Sequence, residues 1–173
     1  MNRRTVLNSA VMAAAAAATA RIAGAADKEV DLFTDHWRKS KDFTLKVAAA
    51  MPPGNYDYKP FADARSFGAE LQHLGQAEGY YLGQLGKGKP PAAPSGDAGK
   101  AATVKYLTAS YDWAIGVVGQ LTAADLTRNF GTGGAAMSGL ELLYQASIHT
   151  AHTRGYAEMY MRNKGIVPPE YAV

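Results

Sequence analysis

Apolar residues recur at three- and four-residue steps through four long segments of this chain, and nowhere do they alternate over a useful length. That spacing gives each segment one face for a shared core, which commits the chain to helices packed on helices. The first segment runs from about Val30 to Met51, with Phe33, Trp37, Ser40, Thr44, Val47 and Met51 on its stripe, and Pro52-Pro53-Gly54 stops it. The second follows Ser66, an N-cap residue, and reaches about Leu85 with Phe67, Leu71, Leu74 and Tyr81 on one face. The third spans about Ala98 to Leu121 through Val104, Leu107, Tyr111, Ala114 and Val118. The fourth begins near Ser138 and reaches Asn163, with Leu140, Leu143, Tyr144, Ile148 and Ala151 expected to face inward. Gly165 terminates it and Pro168-Pro169 closes the fold. The expected fold is all-α, most simply a four-helix bundle.

The connections refine this expectation. Between the second and third segments lies an irregular stretch from Gly86 to Gly96, rich in Gly, Pro and Lys. A helix of about twenty residues is ~30 Å long, and an extended linker of about eleven residues reaches ~36 Å. Such a linker is long enough to cross the whole bundle and let helices two and three lie parallel; a surface loop is the other reading, and composition does not choose between them. Asn129-Phe130-Gly131-Thr132-Gly133-Gly134 reads as a turn rather than a phosphate cradle, since it lacks the GxxxxGK[ST] order and no strand precedes it.

Ahead of the first helix, Arg3-Arg4 is followed by an alanine run from Ala13 to Ala18 and a small-residue box, Ala23-Gly24-Ala25. Charged start, weak apolar core and small-residue box follow the order of an export signal. The paired arginines favour the twin-arginine route, as does Arg21, a positive charge just before the box that hinders general secretion. An amphipathic N-terminal helix is the plainer reading, and a permanent anchor is disfavoured by a short, alanine-rich stretch. The expected organisation is a signal over 1–26, one domain over 27–173, and a periplasmic or secreted product without a stable membrane anchor after cleavage. Three of the 18 basic residues, Arg3, Arg4 and Arg21, lie in the signal and no acidic residue does, so 15 basic residues face 15 acidic ones in the rest. The domain is therefore neutral, and no basic stripe tracks phosphates, which argues against a nucleic-acid partner. With no cysteine, disulfides and thiolate metal sites are excluded.

Four histidines remain as candidates for chemistry: His36, His73, His149 and His152. A metal site inside a bundle draws ligands from facing helices. His73, in the middle of helix two, meets that requirement opposite His149 if both point inward. His152 is rotated about 60° backward from His149, and Thr153 about 40° forward, so only one of the two shares the inner face well. Spacing alone equally allows part-buried histidines bonded to their neighbours. His36, beside Asp35, is expected at the surface, and Trp37, Tyr80, Tyr81 and Tyr144 are candidates to line an apolar pocket or to fill core.

The run Met51-Pro52-Pro53-Gly54-Asn55-Tyr56-Asp57-Tyr58-Lys59-Pro60, with Arg65-Ser66-Phe67-Gly68 leading to His73, resembles the first half of DinB-like (DinB/YfiT) proteins. His149-x-x-His152-Thr153-Arg154-Gly155 and Gly165-Ile166-Val167-Pro168-Pro169 resemble the second half, so the likeness covers the chain from about Val30 onward. The resemblance implies a four-helix bundle with a long crossover between helices two and three. It also implies a divalent metal, often zinc or nickel, held by one histidine of helix two and two of helix four spaced four apart. Relatives include bacillithiol transferases and mycothiol-dependent isomerases, though most members have no assigned reaction.

Carried over by position, His73 and His149 match the first two ligands, whereas the third falls on Thr153, and Tyr156 replaces the glutamine usual after Arg-Gly. A neutral hydroxyl is a poor ligand for zinc, which takes imidazole, thiolate or carboxylate. The metal is therefore expected to be weakly held or absent. Two readings follow. One is an exported DinB-like protein with a degenerate three-histidine site, binding a small molecule or a partner. The other is a metal-dependent hydrolase or thiol-transferase-like enzyme using His73 and His149, with hydrolysis favoured outside the cytoplasm, where thiol cofactors are scarce. The substrate and oligomeric state stay open at this point, a homodimer included.

Overall fold

A computed structural model describes the backbone of residues 3–96 and 98–173, and the side chains of Met12, 24–96 and 98–173. Helix α1 spans Arg3–Ala50, α2 Phe67–Gly83, α3 Lys100–Val118, the short α4 Ala123–Thr127, and α5 Gly139–Asn163. The side chains of the signal residues Arg3, Arg4, Ala13 to Ala18, Arg21 and Ala23 lie outside the described residues. No described helix is long and apolar enough to cross a membrane.

Local signals set the helix ends. The Ser66 hydroxyl accepts the Ala69 N–H at 3.1 Å and starts α2. At α5, Ser138 and Glu141 form a reciprocal capping box, and Gly165, with φ of +70°, ends the chain's last helix. Two features lie beyond the periodic pattern. Helix α4 is one turn, capped by Thr122 and Asp125. After it, β1 (Asn129–Phe130) pairs antiparallel with β2 (Met137–Ser138), so the glycine-rich turn is a miniature hairpin in an otherwise helical fold. Gly139 follows at once, and a Cβ there would stand 2.2 Å from the Asp125 carbonyl oxygen, so only glycine lets α5 start against α4.

Helix directions follow from the residues that meet. Tyr111 hydrogen-bonds Ser40 and Thr44 while Lys100 reaches the carbonyls of Ala49 and Met51, so α1 and α3 run antiparallel. Gln72 meets Thr103 at 3.2 Å, and further along Gly75 abuts Tyr106 and Ser110, so α2 and α3 run in the same direction. The 86–96 linker must therefore travel back along α2. It does: Lys87 pairs with Asp125 at 2.9 Å, Pro90 sits on Gly79, and Ala98 closes on Gly68 at the start of α2. Helix α5 packs on α2 and completes the helical bundle.

The core forms where these helices meet, around Trp37, Phe43, Phe67, Leu71, Leu107, Tyr111, Leu142 and Leu143. The α1 stripe read from sequence is buried throughout, but the α5 stripe is not the expected one. Tyr144 and Ile148 are 53 % and 61 % exposed, and the inner face is built from Leu142, Leu143, Ala146, Thr150, Thr153, Arg154 and Ala157.

Candidate functional site

His73 on α2 and His149 on α5 face each other, their ring centroids 4.9 Å apart and nearly perpendicular. Thr153, one turn beyond His149, is buried, and its Oγ1 hydrogen-bonds His149 Nδ1 at 3.2 Å. All three residues therefore converge. His152 does not: it is exposed and sets its ring edge-on to Tyr156 at 4.7 Å. Burial lowers the pKa of His73 to about 4, helped by the charge of Arg65 and by His149. Burial also lowers that of His149, with His152 and Arg65 adding to the effect. Both imidazoles are neutral at pH 7, and with Nδ1 of His149 taken by Thr153, Nε2 is the nitrogen left to a ligand.

Arg65, whose charge both histidines feel, belongs to the wall of an adjacent cleft of about 640 Å³. The loop before α2 contributes Phe61, Asp63 and Arg65; α2 contributes Glu70; and α5 contributes His152, Tyr156 and Tyr160. Arg65 Nη1 reaches Glu70 Oε2 at 3.4 Å. The aromatics nominated from sequence are placed otherwise. Trp37 is core, Tyr80 and Tyr144 are exposed, and Tyr81 alone of the four approaches a site histidine, at 6.0 Å from His149. His36 is half-buried, edge-on to Trp37, rather than a free surface residue.

Two buried polar groups escaped the sequence reading. Arg154 lies in the α1–α5 interface, where it donates to Ser40 at 3.0 Å and Thr44 at 3.3 Å and stands 4.7 Å over the Phe43 ring. No carboxylate pairs with it among the described residues, so hydroxyl dipoles and a ring face replace the counter-ion. Glu78 is fully buried on α2 with neither carboxyl oxygen hydrogen-bonded; the Trp37 indole faces it from outside good bonding geometry. Burial pushes its pKa up to about 8. A charged residue type on a helix reads as a solvated face, so periodicity gave no sign of either. The motif containing Arg154 was the one available hint.

The DinB superfamily model matches residues 36–157, well over half of the chain and inclusive of both histidines and Thr153. The chain belongs to the DinB superfamily. Among solved structures, it is similar to a DinB-like protein from Bacillus cereus at 18 % identity and a TM-score of 0.66, covering 80 % of this chain and 95 % of that one. It is also similar to a DinB-like protein from Bacillus subtilis at 18 % identity and a TM-score of 0.68, covering 82 % and 98 %. These likenesses carry the fold. No curated protein matches the chain in sequence.

The metal that the DinB resemblance implies does not fit the donors present. Two imidazoles converge, but the third position offers a neutral hydroxyl already bonded to one of them. Among the described residues no group of three or more His, Cys, Asp or Glu side chains is arranged to hold a metal ion.

Proposed function

We propose that this protein is an exported, four-helix DinB domain whose three-histidine metal site is degenerate, leaving a neutral histidine pair beside a small-molecule cleft. The observation that carries this reading is the 3.2 Å contact between Thr153 Oγ1 and His149 Nδ1. A residue in the third ligand position spends its hydroxyl on orienting the second ligand, and losing one of three protein ligands costs most of the chelate. Among the described side chains, Gly24 and Ala25 of the small-residue box are exposed and Ala26, which follows it, packs into the core, as a domain beginning near Ala26 requires. The cleft has the mixed aromatic and charged lining of a ligand site.

The reading is tested by measuring the metal content of protein purified from its native compartment, with dialysis against a weak chelator. Protein free of stoichiometric zinc or nickel supports it; one tightly held equivalent contradicts it.

The close, edge-on pair of histidines favours a second reading, an enzyme that uses His73 and His149 directly. Both are unprotonated at neutral pH, the state in which an imidazole accepts a proton. Loss of a measured hydrolase activity in both His73→Ala and His149→Ala would favour it over a binding protein.

A further inference from the structure

We propose that the cleft beside the histidine pair recognises an organic cation, a substituted ammonium seated against aromatic rings. The inference deepens the small-molecule reading above and rests on it.

Three rings line the cleft. Phe61, from the loop before α2, is 67 % exposed, Tyr156 on α5 is 48 % exposed, and Tyr160, also on α5, is buried. Large rings on two different elements are thus left open to water around one cleft, within reach of whatever enters it. Ring faces carry a negative quadrupole and attract a desolvated cation. The charges in the wall point the same way. Glu70 is a carboxylate with 4 % of its surface exposed, and Asp63 stands at the rim, against one lining cation, Arg65. Arg65 reaches Glu70 at 3.4 Å, and two lining carboxylates against one lining guanidinium leave the wall with one negative charge in excess.

The surroundings already contain this mode of binding. Lys164 Nζ stands 5.0 Å over the Tyr58 ring, which in turn meets Tyr160 edge-on at 6.3 Å. An ammonium thus sits on the same aromatic cluster at its outer end.

The test is isothermal titration of the whole domain at pH 7.5 with choline and with benzylammonium, each beside its uncharged isostere, 3,3-dimethylbutanol and benzyl alcohol. Expected is saturable binding of at least one cation below about 10 mM, with its isostere about tenfold weaker. Phe61→Ala and Tyr156→Ala remove exposed rings without touching the core, and each should weaken the cation about fivefold or more. Glu70→Gln should weaken the cation about tenfold while leaving the isostere unchanged. Equal binding of isostere and cation would overturn the charge recognition while leaving a small-molecule site in place. Binding of acetate or phosphate in preference to both cations would overturn it in favour of Arg65 as an anion anchor. No saturable binding of any probe would overturn the site itself.

Discussion

Thr153 Oγ1 lies 3.2 Å from His149 Nδ1, one turn apart on α5, at the position where the resemblance to DinB-like proteins implies a further histidine. The hydroxyl fixes the orientation of a histidine that stands within 4.9 Å of His73, ring centre to ring centre. Thr153→Val keeps the shape and removes the hydrogen bond, so it should cost about 1 kcal/mol. Urea unfolding checks this: the midpoint should fall with no change in slope. An unchanged midpoint would mean that the contact contributes nothing to stability.

Glu78 should give the protein a pH-dependent stability of unusual sign. Its carboxyl titrates near its ordinary value when unfolded and at about 8 when buried, so the folded state holds the extra proton between those values. Stability is therefore fully present below pH 4.5 and declines as pH rises through about 8, by up to about 1.4 kcal/mol per pH unit. His73, His149 and His36, all lowered by burial, contribute the opposite slope, losing stability as pH falls below 6.5, so between pH 6.5 and 8 the decline belongs to Glu78 among the shifted groups. Glu78→Gln should flatten the decline between pH 6.5 and 8. A wild-type profile already flat across that window would place a partner on the carboxylate.

How legible all this was depended on what each position asked of its residue. The ends set by Ser66, Ser138 and Gly165 were legible because these residues act through local chemistry, whereas the start of α1 was not: the helix begins at Arg3 rather than near Val30. The inner face of α5 was not, because periodicity registers hydrophobicity rather than neighbours. Tyr144 and Ile148 look like core but point to solvent, and Thr150, Thr153 and Arg154 look solvated but are buried. The histidine pair was readable through spacing and resemblance together. The cleft was not, since Phe61, Asp63 and Arg65 come from a loop with no period to read.

Two glycines should respond in opposite ways to one added methyl. At Gly139 a Cβ collides with the Asp125 carbonyl, backbone that cannot move without parting α4 from α5. Gly139→Ala should cost about 2 kcal/mol or more. At Gly155, exposed in the middle of α5, a Cβ meets nothing within 4 Å. Gly155→Ala should stabilise by about 0.5–1 kcal/mol. Thermal unfolding of both variants measures the contrast, and equal shifts would contradict it.

Export is tested in the cell. Replacing Arg3 and Arg4 by lysine should leave precursor in the cytoplasm. The wild-type product should begin near Ala26, just after the small-residue box. A product isolated from the periplasm with Met1 intact would contradict the cleavage.

The central claim is that Thr153 is what separates this site from a working three-histidine centre, and metal-dependent thermal unfolding of wild type and Thr153→His tests it most directly. A metal that binds only the folded state stabilises it by about 2.7 kcal/mol at a hundredfold excess over its dissociation constant. Measured with zinc or nickel and with excess chelator as control, Thr153→His should gain that shift, and wild type should show far less. If wild type already shows the full shift, His149→Ala abolishes it and Thr153→His adds nothing, then Thr153 is no defect and another side chain supplies the third ligand.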